Sequence, residues 1–398
     1  MMIERKSYVE HLLKWKDMNM VKVITGVRRC GKSVILQQYM DKLSTLGVSQ
    51  EQIIYINFES LKYEHLLTYQ SLYQHIIDKC KNDLFYYLLF DEVQHVSEWE
   101  KAISSFRIDL YCDIYITGSN AYLLSSELAT LLSGRSVSIQ VLPLSFKEYI
   151  SDMKNLPIQD AFQQYLQYGG FPGLLELPKD DQVRQEYLEG IYNTVIVKDV
   201  LNRTGITDTV LLTRLFTYMV AHIGSLISAN KIADFMNSNG SSTHVSTIID
   251  YLNALEMAYI LHKTNRFDIK GKKLLRSPDK YYICDIGIRS SILGFETLDI
   301  GRILENIVYL ELLRRNYKVT VGAGMNTEID FIANEGDSKR YYQVSLSAVD
   351  EKVLERELNS FRKINDQHSK ILLTMDYGNR KNDEGIIFYN LIDWLLEV

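Results

Sequence analysis

The stretch that decides the fold is "ITGVRRCGKSVIL", residues 24–36. From Gly26 to Ser33 it fits G-x-x-x-x-G-K-[ST], the pattern of a loop that cradles phosphates. Such a loop needs a strand before it and a helix after it. "VKVITG" (21–26) is a short β-rich run ending in glycine, and "KSVILQQYMDKL" (32–43) has a helical pattern. Backbone N–H groups and the helix N-terminus would then face the phosphates, and both favour negative charge. Lys32 would reach the β- and γ-phosphates, and the Ser33 hydroxyl would ligate Mg2+. Taken by itself, a glycine turn entering a helix says no more than that, so the reading needs partners elsewhere.

They are present. "YYLLFDEVQ" (86–94) puts Asp91 at the end of an apolar strand, where a carboxylate holds the metal directly or through water. Glu92 beside it is placed to polarise an attacking water, which is general-base work. "YITGSN" (115–120) ends a further strand with Ser119 or Asn120. Either can orient the water and sense the γ-phosphate, or simply cap the strand end. Arg135, in "LLSGRSVSIQVLPLSF" (131–146), lies between a helix and the last strand. It could project toward a phosphate, its own or a neighbour's, or interact with a helix C-terminus. Strands at 53–59, 85–92, 113–120 and 136–146, mostly separated by helical patterns, argue a parallel, doubly wound α/β sheet. The strand at 53–59 makes the Asp91 strand third in sequence and leaves room for one between the loop and Asp strands. That arrangement belongs to P-loop ATPases with a catalytic glutamate, so hydrolysis is expected.

The words "TGVRRCGKS", "YINFE", "LLFDEVQ", "ITGSNAYLL", "LSGR", "LPLSFKEY" and "YGGFP" occur in that order. In order and spacing the chain resembles AAA+-type ATPases, specifically a large prokaryotic family of ATP-binding proteins with a C-terminal domain of unknown function. The resemblance covers essentially the entire chain and is highly specific in the first 175 residues. It implies ATP and Mg2+ as cofactors. It also implies a nucleotide-binding role for Gly26, Val27, Arg28, Arg29, Cys30, Gly31, Lys32, Ser33 and Val34, joined by Asp91, Glu92 and Ser119. Arg135 becomes the candidate arginine finger. For Arg28 and Arg29 phosphate, a nearby carboxylate and solvent all remain open.

Bulk properties bound the rest. At 398 residues the chain exceeds one ordinary core. A formal net charge of −6 argues against general adhesion to nucleic acid but permits a local basic patch. The cysteines (Cys30, Cys80, Cys112, Cys284) are far apart with no CxxC pair, which reads as reduced thiols, neither a disulfide framework nor a zinc site. "MMIERKSYVEHLLKWK" (1–16), read as an amphipathic helix from residue 5, lacks the apolar core of a signal peptide. No run approaches the roughly 18 to 20 apolar residues of a membrane span. A cytoplasmic protein without a membrane partner is expected.

The expected organisation is an AAA+-like ATPase domain at 1–150, a helical linker at 151–227, a winged helix at 228–290 and an α/β restriction-nuclease-like domain at 291–398. Ser228 and the Ser241–Ser242–Thr243 cluster would cap two helices, followed by short strands at 259–265 and 280–284. Residues 262–280 hold seven Lys or Arg (Lys263, Arg266, Lys270, Lys272, Lys273, Arg276, Lys280) against two Asp. On a wing, Lys270, Lys272 and Lys273 would suit DNA or RNA phosphates. The helix that would enter a groove, "STHVSTIIDYLNAL" (242–255), has no Lys or Arg, which fits a packing module equally well. Farther on, Glu305, Asp330, Gln343 and Ser345 resemble the PD-(D/E)xK nuclease layout. Gln343 stands where an acid belongs and Ser345 where the lysine belongs, so cleavage is not expected. The reading is therefore an ATPase whose nucleotide state moves these domains. The alternatives are an ATP-gated protein scaffold, a nucleic-acid-binding module and a metal-dependent nuclease. Arg135 acting in trans would require a homo-oligomer.

Overall fold

The structure is a computed structural model that describes residues 3–80, 84–121, 134–153, 156–201, 206–275, 278–296, 299–324, 327–376, 378, 380–381 and 384–397. Where the sequence reading draws four segments, the chain groups into two compact units. One is Met1–Pro143 with Met257–Tyr259, the other Leu144–Glu256 with Ile260–Val398. Among the described residues, no helix is long and apolar enough to cross a membrane.

The first unit is built on five parallel strands: β1 (Val21–Thr25), β2 (Ile53–Asn57), β3 (Tyr86–Asp91), β4 (Cys112–Gly118) and β5 (Ser136–Gln140), in the order β2-β3-β4-β1-β5. β1 and β3 are buried at every position, as strands covered on both faces must be. Their apolar runs supply that burial, and the exceptions are paired. Lys22 on β1 is fully buried, with its ammonium against Asp113 of β4 and on the Met18 carbonyl at 2.9 Å. Tyr115 donates to the same carboxylate at 2.7 Å.

Among the described residues, the α-helices of this unit are α1 (Lys6–Lys14), α2 (Lys32–Thr45), α3 (Tyr69–Lys79) and α4 (Trp99–Asp109). α2 buries Ile35, Leu36, Tyr39 and Leu43, the i, i+1, i+4, i+8 stripe of an amphipathic helix. α3 starts where the Thr68 hydroxyl accepts the Ser71 N–H. The expected strand between the loop and Asp strands is β4. Register puts Thr25, Gly118, Asp91 and Asn57 at one edge, because Thr25 faces Gly118 and Asn57 faces Asp91.

The second unit opens with helices Phe146–Ile150, Ile158–Tyr168, Asp181–Thr194 and Thr209–Ala221, as the helical pattern predicts. "YGGFP" finds its reason here. A Cβ on Gly169 would lie 1.9 Å from the Asp285 carboxylate, and one on Gly170 2.4 Å from the Leu144 carbonyl. The Gly170 N–H instead donates to Asp285 at 2.7 Å. Helices Ala229–Ser238 and Val245–Met257 follow, the first capped by Ser228 as expected.

β6 (Leu226–Ile227), β7 (Leu261–Thr264) and β10 (Asp279–Ile283) form a three-stranded antiparallel sheet. The Lys-rich stretch between β7 and β10 is not one open loop. It folds back as the hairpin β8 (Arg266–Asp268) and β9 (Lys273–Leu274), with β8 parallel to β11 (Lys318–Gly324). An eight-stranded sheet results, continuing through β12 (Thr327–Glu335), β13 (Ser338–Val344), β14 (Ser369–Thr374), β16 (Ile387–Asn390) and β15 (Arg380–Lys381).

His262, buried on β7, has no hydrogen-bond partner for Nε2 among the described residues. Desolvation lowers its pKa from 6.5 to about 4. Between those values the unfolded chain binds the extra proton, so this ring's contribution is intact above pH 6.5 and is lost as pH falls toward 4. The loss reaches roughly 3 kcal/mol, at about 1.4 kcal/mol per pKa unit. His262→Leu is expected to flatten this acid arm, read as denaturant midpoints across the interval. An acid arm as steep as the wild type's would remove His262 as its source.

Candidate active site

The loop from Gly26 to Lys32 sits where β1 hands over to α2. Gly26 has φ +147° and Gly31 φ +102°, both in the region that favours glycine. A Cβ on Gly26 would come within 2.1 Å of the Val141 carbonyl oxygen, so this glycine is also a close-approach residue. Lys32 is 4% exposed. Its ammonium donates to the Gly26 and Val27 carbonyls at 3.0 and 3.3 Å and lies 3.6 Å from Glu92 Oε1. Cys30 is fully buried, and burial pushes its thiol pKa up. Val34 continues α2, and the Arg28 guanidinium lies 3.1 Å from Glu59, the carboxylate option left open by the sequence. Arg29 adopts φ +67°.

Asp91 at the end of β3 is fully buried and held from the two neighbouring strands. From β4 Thr117 donates to Oδ1 at 2.5 Å, and from β2 Tyr55 and Asn57 donate to Oδ2 at 2.9 and 3.1 Å. Burial raises its pKa, opposed by the hydrogen bonds from Thr117 and Ser33. The Ser33–Asp91 contact brings together the two oxygens assigned to Mg2+, and hard oxygen donors of this kind suit that ion. Glu92 follows with φ +53°, its N–H on Thr117 Oγ1 at 2.9 Å and its carboxylate against Gln94. Burial pushes the Glu92 pKa up most strongly, but Lys32, the Gln94 hydrogen bond and the Arg28 charge together outweigh it, and the net shift is downward. Glu92 is therefore ionised at neutral pH, as a base must be. Ser119 and Asn120 are buried just beyond β4, the strand beside β1.

Arg135 is placed otherwise. Its carbonyl accepts the Val21 N–H at 2.9 Å, at the start of β1. The phosphate loop leaves the other end of that strand, about 13 Å away at 3.3 Å per residue. The exposed guanidinium is thus at the opposite edge of the sheet from its own chain's loop. The helix expected before it lies outside the described residues.

Sequence reasoning gave no role to Tyr55, Asn57 or Thr117, the residues that hold Asp91. The signal was a polar side chain ending each apolar strand next to β3. It also missed Glu59 and His95, whose ligand atoms lie within 4.8 Å of one another and of Glu92's.

In the second unit, Glu305, Asp330 and Gln343 do come together, but around a cation that belongs to the chain. Lys280, counted among the basic wing residues, is 3% exposed. Its ammonium lies 2.9 Å from Glu305, 2.6 Å from Glu328 and 3.9 Å from Asp330. Tyr282 also donates to Glu305, at 2.7 Å. Gln343 Oε1 accepts the Asp330 N–H at 3.2 Å, and Asp330 accepts the Val344 N–H at 2.9 Å. Ser345 donates instead to the Ser347 carbonyl. Burial and then Glu305 push the Asp330 pKa well up, opposed by Lys280. These residues do not fit a divalent metal, because an ammonium already lies among their oxygens.

Lys270, Lys272 and Lys273 are exposed on the β8–β9 hairpin, with Asp268 accepting the Lys270 and Gly271 N–H groups in the same turn. Lys263 pairs with Asp279 at 3.0 Å, and Arg276 lies outside the described residues. With Lys280 buried and Lys263 paired, the basic surface is smaller than the seven-residue count suggests.

A parallel sheet ordered β2-β3-β4-β1-β5, with a phosphate loop after β1 and an acid pair after β3, defines a P-loop NTPase fold of the AAA type. Residues 18–150 match the family described as "AAA domain", and residues 159–299 match "Domain of unknown function (DUF8612)". An "Uncharacterized protein" of Haemophilus influenzae is 38% identical over 401 aligned positions, covering 100% of this chain and 99% of its own. "Uncharacterized protein MJ1544" of Methanocaldococcus jannaschii is 32% identical over 389, covering 92% and 83%. The chain belongs to the family of these proteins. Among solved structures, "The walker-type atpase paby2304 of pyrococcus abyssi" superposes with a TM-score of 0.52 at 15% identity, over 73% of this chain and 95% of that one, a likeness of fold.

Proposed function

We propose that the chain binds ATP with Mg2+ and hydrolyses it, and that the nucleotide state moves the second unit. The observation that carries this reading is the convergence of Lys32, Ser33, Asp91 and Glu92 at one edge of the sheet. Lys32 and the loop N–H groups would hold the phosphates, and Ser119 or Asn120 would sense the γ-phosphate. Ser33 and Asp91 would hold Mg2+, which supplies neutralisation of phosphate charge. Glu92, held ionised by Lys32 together with Gln94 and Arg28, would take a proton from the attacking water. Arg135 would act only on a neighbouring copy's nucleotide, which calls for an oligomer. The second unit is read as a helical region, a winged helix and a nuclease-like domain without cleavage activity, since Lys280 lies among the carboxylates an active site would use.

A second reading, action on DNA or RNA, rests on the three exposed lysines of the β8–β9 hairpin. One experiment addresses both: steady-state phosphate release and nucleic-acid binding across a salt series. ATP turnover that stops when Mg2+ is chelated is the expected result, and no turnover under any condition would sink the ATPase reading. If the hairpin contacts phosphates, neutralising Lys270, Lys272 and Lys273 lowers the log–log salt slope by about 2 to 3. An unchanged slope, or no affinity in the wild type, leaves an ATP-gated scaffold for a protein partner.

A further inference from the structure

Arg5 lies ahead of every motif above, at the N-terminal edge of α1, yet it is 1% exposed. Its guanidinium donates through Nη1 to the Cys30 carbonyl and through Nη2 to the Leu142 carbonyl, each at 2.8 Å. Cys30 is inside the phosphate loop, and Leu142 is in the segment that follows β5. The two walls already touch, since Gly26 backs onto Val141 and the Val141 N–H donates to the Thr25 carbonyl at 2.7 Å. Arg5 ties them together from behind.

The segment carrying Arg5 is itself fastened. The Arg5 N–H donates to Gln38 Oε1 at 2.9 Å, and Gln38 Nε2 donates to the Ile3 carbonyl at 2.6 Å, so an amide on α2 clamps the strap on both sides. The Tyr8 ring lies 4.8 Å from the guanidinium carbon, and its hydroxyl accepts the Leu142 N–H at 3.1 Å.

We propose that Arg5 is a positioning residue for the phosphate loop, an inference that rests on the nucleotide reading above. In a trans peptide the C=O and the following N–H point in opposite directions. A guanidinium holding the Cys30 carbonyl from behind therefore turns the Gly31 N–H toward the phosphate side. Glycine at 26 and 31 leaves the loop free to take other conformations, and the strap removes them before ligand arrives. The rigid fork of arginine suits two divergent carbonyls, and lysine cannot span both in the same way.

The test compares wild type, Arg5→Lys and Arg5→Met for equilibrium binding of MgATP and of magnesium tripolyphosphate, well below each protein's unfolding midpoint. Arg5→Met is expected to lose about 10- to 100-fold in affinity for both, since hydrogen bonds to charged groups contribute on this scale. The loss should appear in KM before kcat, and Arg5→Lys should fall between the other two. Should Arg5→Met not fold, Arg5→Lys and Gln38→Ala carry the comparison. A folded variant that binds both ligands like the wild type overturns the proposal. So does a loss confined to ATP, which would place Arg5 at the base and not at the phosphate loop. A wild type that binds neither ligand overturns the nucleotide reading itself, and this one with it.

Discussion

Lys32→Ala is expected to remove ATP binding, with affinity falling by about 100-fold or more. The substitution deletes a buried ammonium that now donates to two loop carbonyls and faces Glu92. In the liganded site the same three donors would turn to phosphate oxygens. Each charge-assisted contact contributes about 1.5 to 3 kcal/mol, so losing two of them reaches that fold-change. A second consequence separates this residue from a simple scaffold. Lys32 is the largest of the influences that hold the Glu92 pKa down against burial. Without it Glu92 drifts upward, and any residual turnover should lose its acid side at higher pH than in the wild type. Titration with a fluorescent ATP analogue reads the first effect and a pH–rate profile the second. A variant that binds within about twofold of wild type would remove Lys32 from the site.

Glu92→Gln is expected to separate binding from turnover. The amide keeps the size of the side chain and can still accept from Gln94, so nucleotide affinity should be retained. What it lacks is basicity, and losing a positioned general base costs about 10²- to 10⁴-fold in rate. Single-turnover hydrolysis beside equilibrium binding distinguishes the two terms. Hydrolysis at the wild-type rate would show that Glu92 does not prime the water. The position is constrained by more than charge, since Glu92 sits at φ +53° with its N–H on Thr117. The isosteric change is therefore the informative one, and a β-branched replacement would add backbone strain.

The same contrast shows what could be read from the chain and what could not. The loop and acid pair were legible because each is local: glycine spacing, an apolar run and a terminal carboxylate lie within a few residues. The strand order was also accessible, because β2 precedes the Asp91 strand and parallel connections follow few routes. Asp91's supports were not. Tyr55, Asn57 and Thr117 lie on two other strands, and only lateral register sets them around one carboxylate. Arg135 shows a different gap. It is close to β1 through hydrogen bonding, yet at the strand's far end, and a linear reading cannot tell which end of the sheet such a residue will meet.

Lys280 makes the point most sharply. In the sequence it closes a run of basic residues and counts toward a charged surface. In the folded chain it is turned inward, because β10 lies beside the helix Ile300–Arg314 and three carboxylates converge on its ammonium. A buried cation persists only with such compensation, and the compensating acids are 25 to 50 residues away. The chain's own order of residues determined where a nucleotide would be held, since backbone N–H groups and the first turn of a helix are local features. Only the tertiary structure decided which charges reach that place and which are used up elsewhere. Electrostatic partners are chosen by distance in space, and spatial distance appears only once the strands have paired.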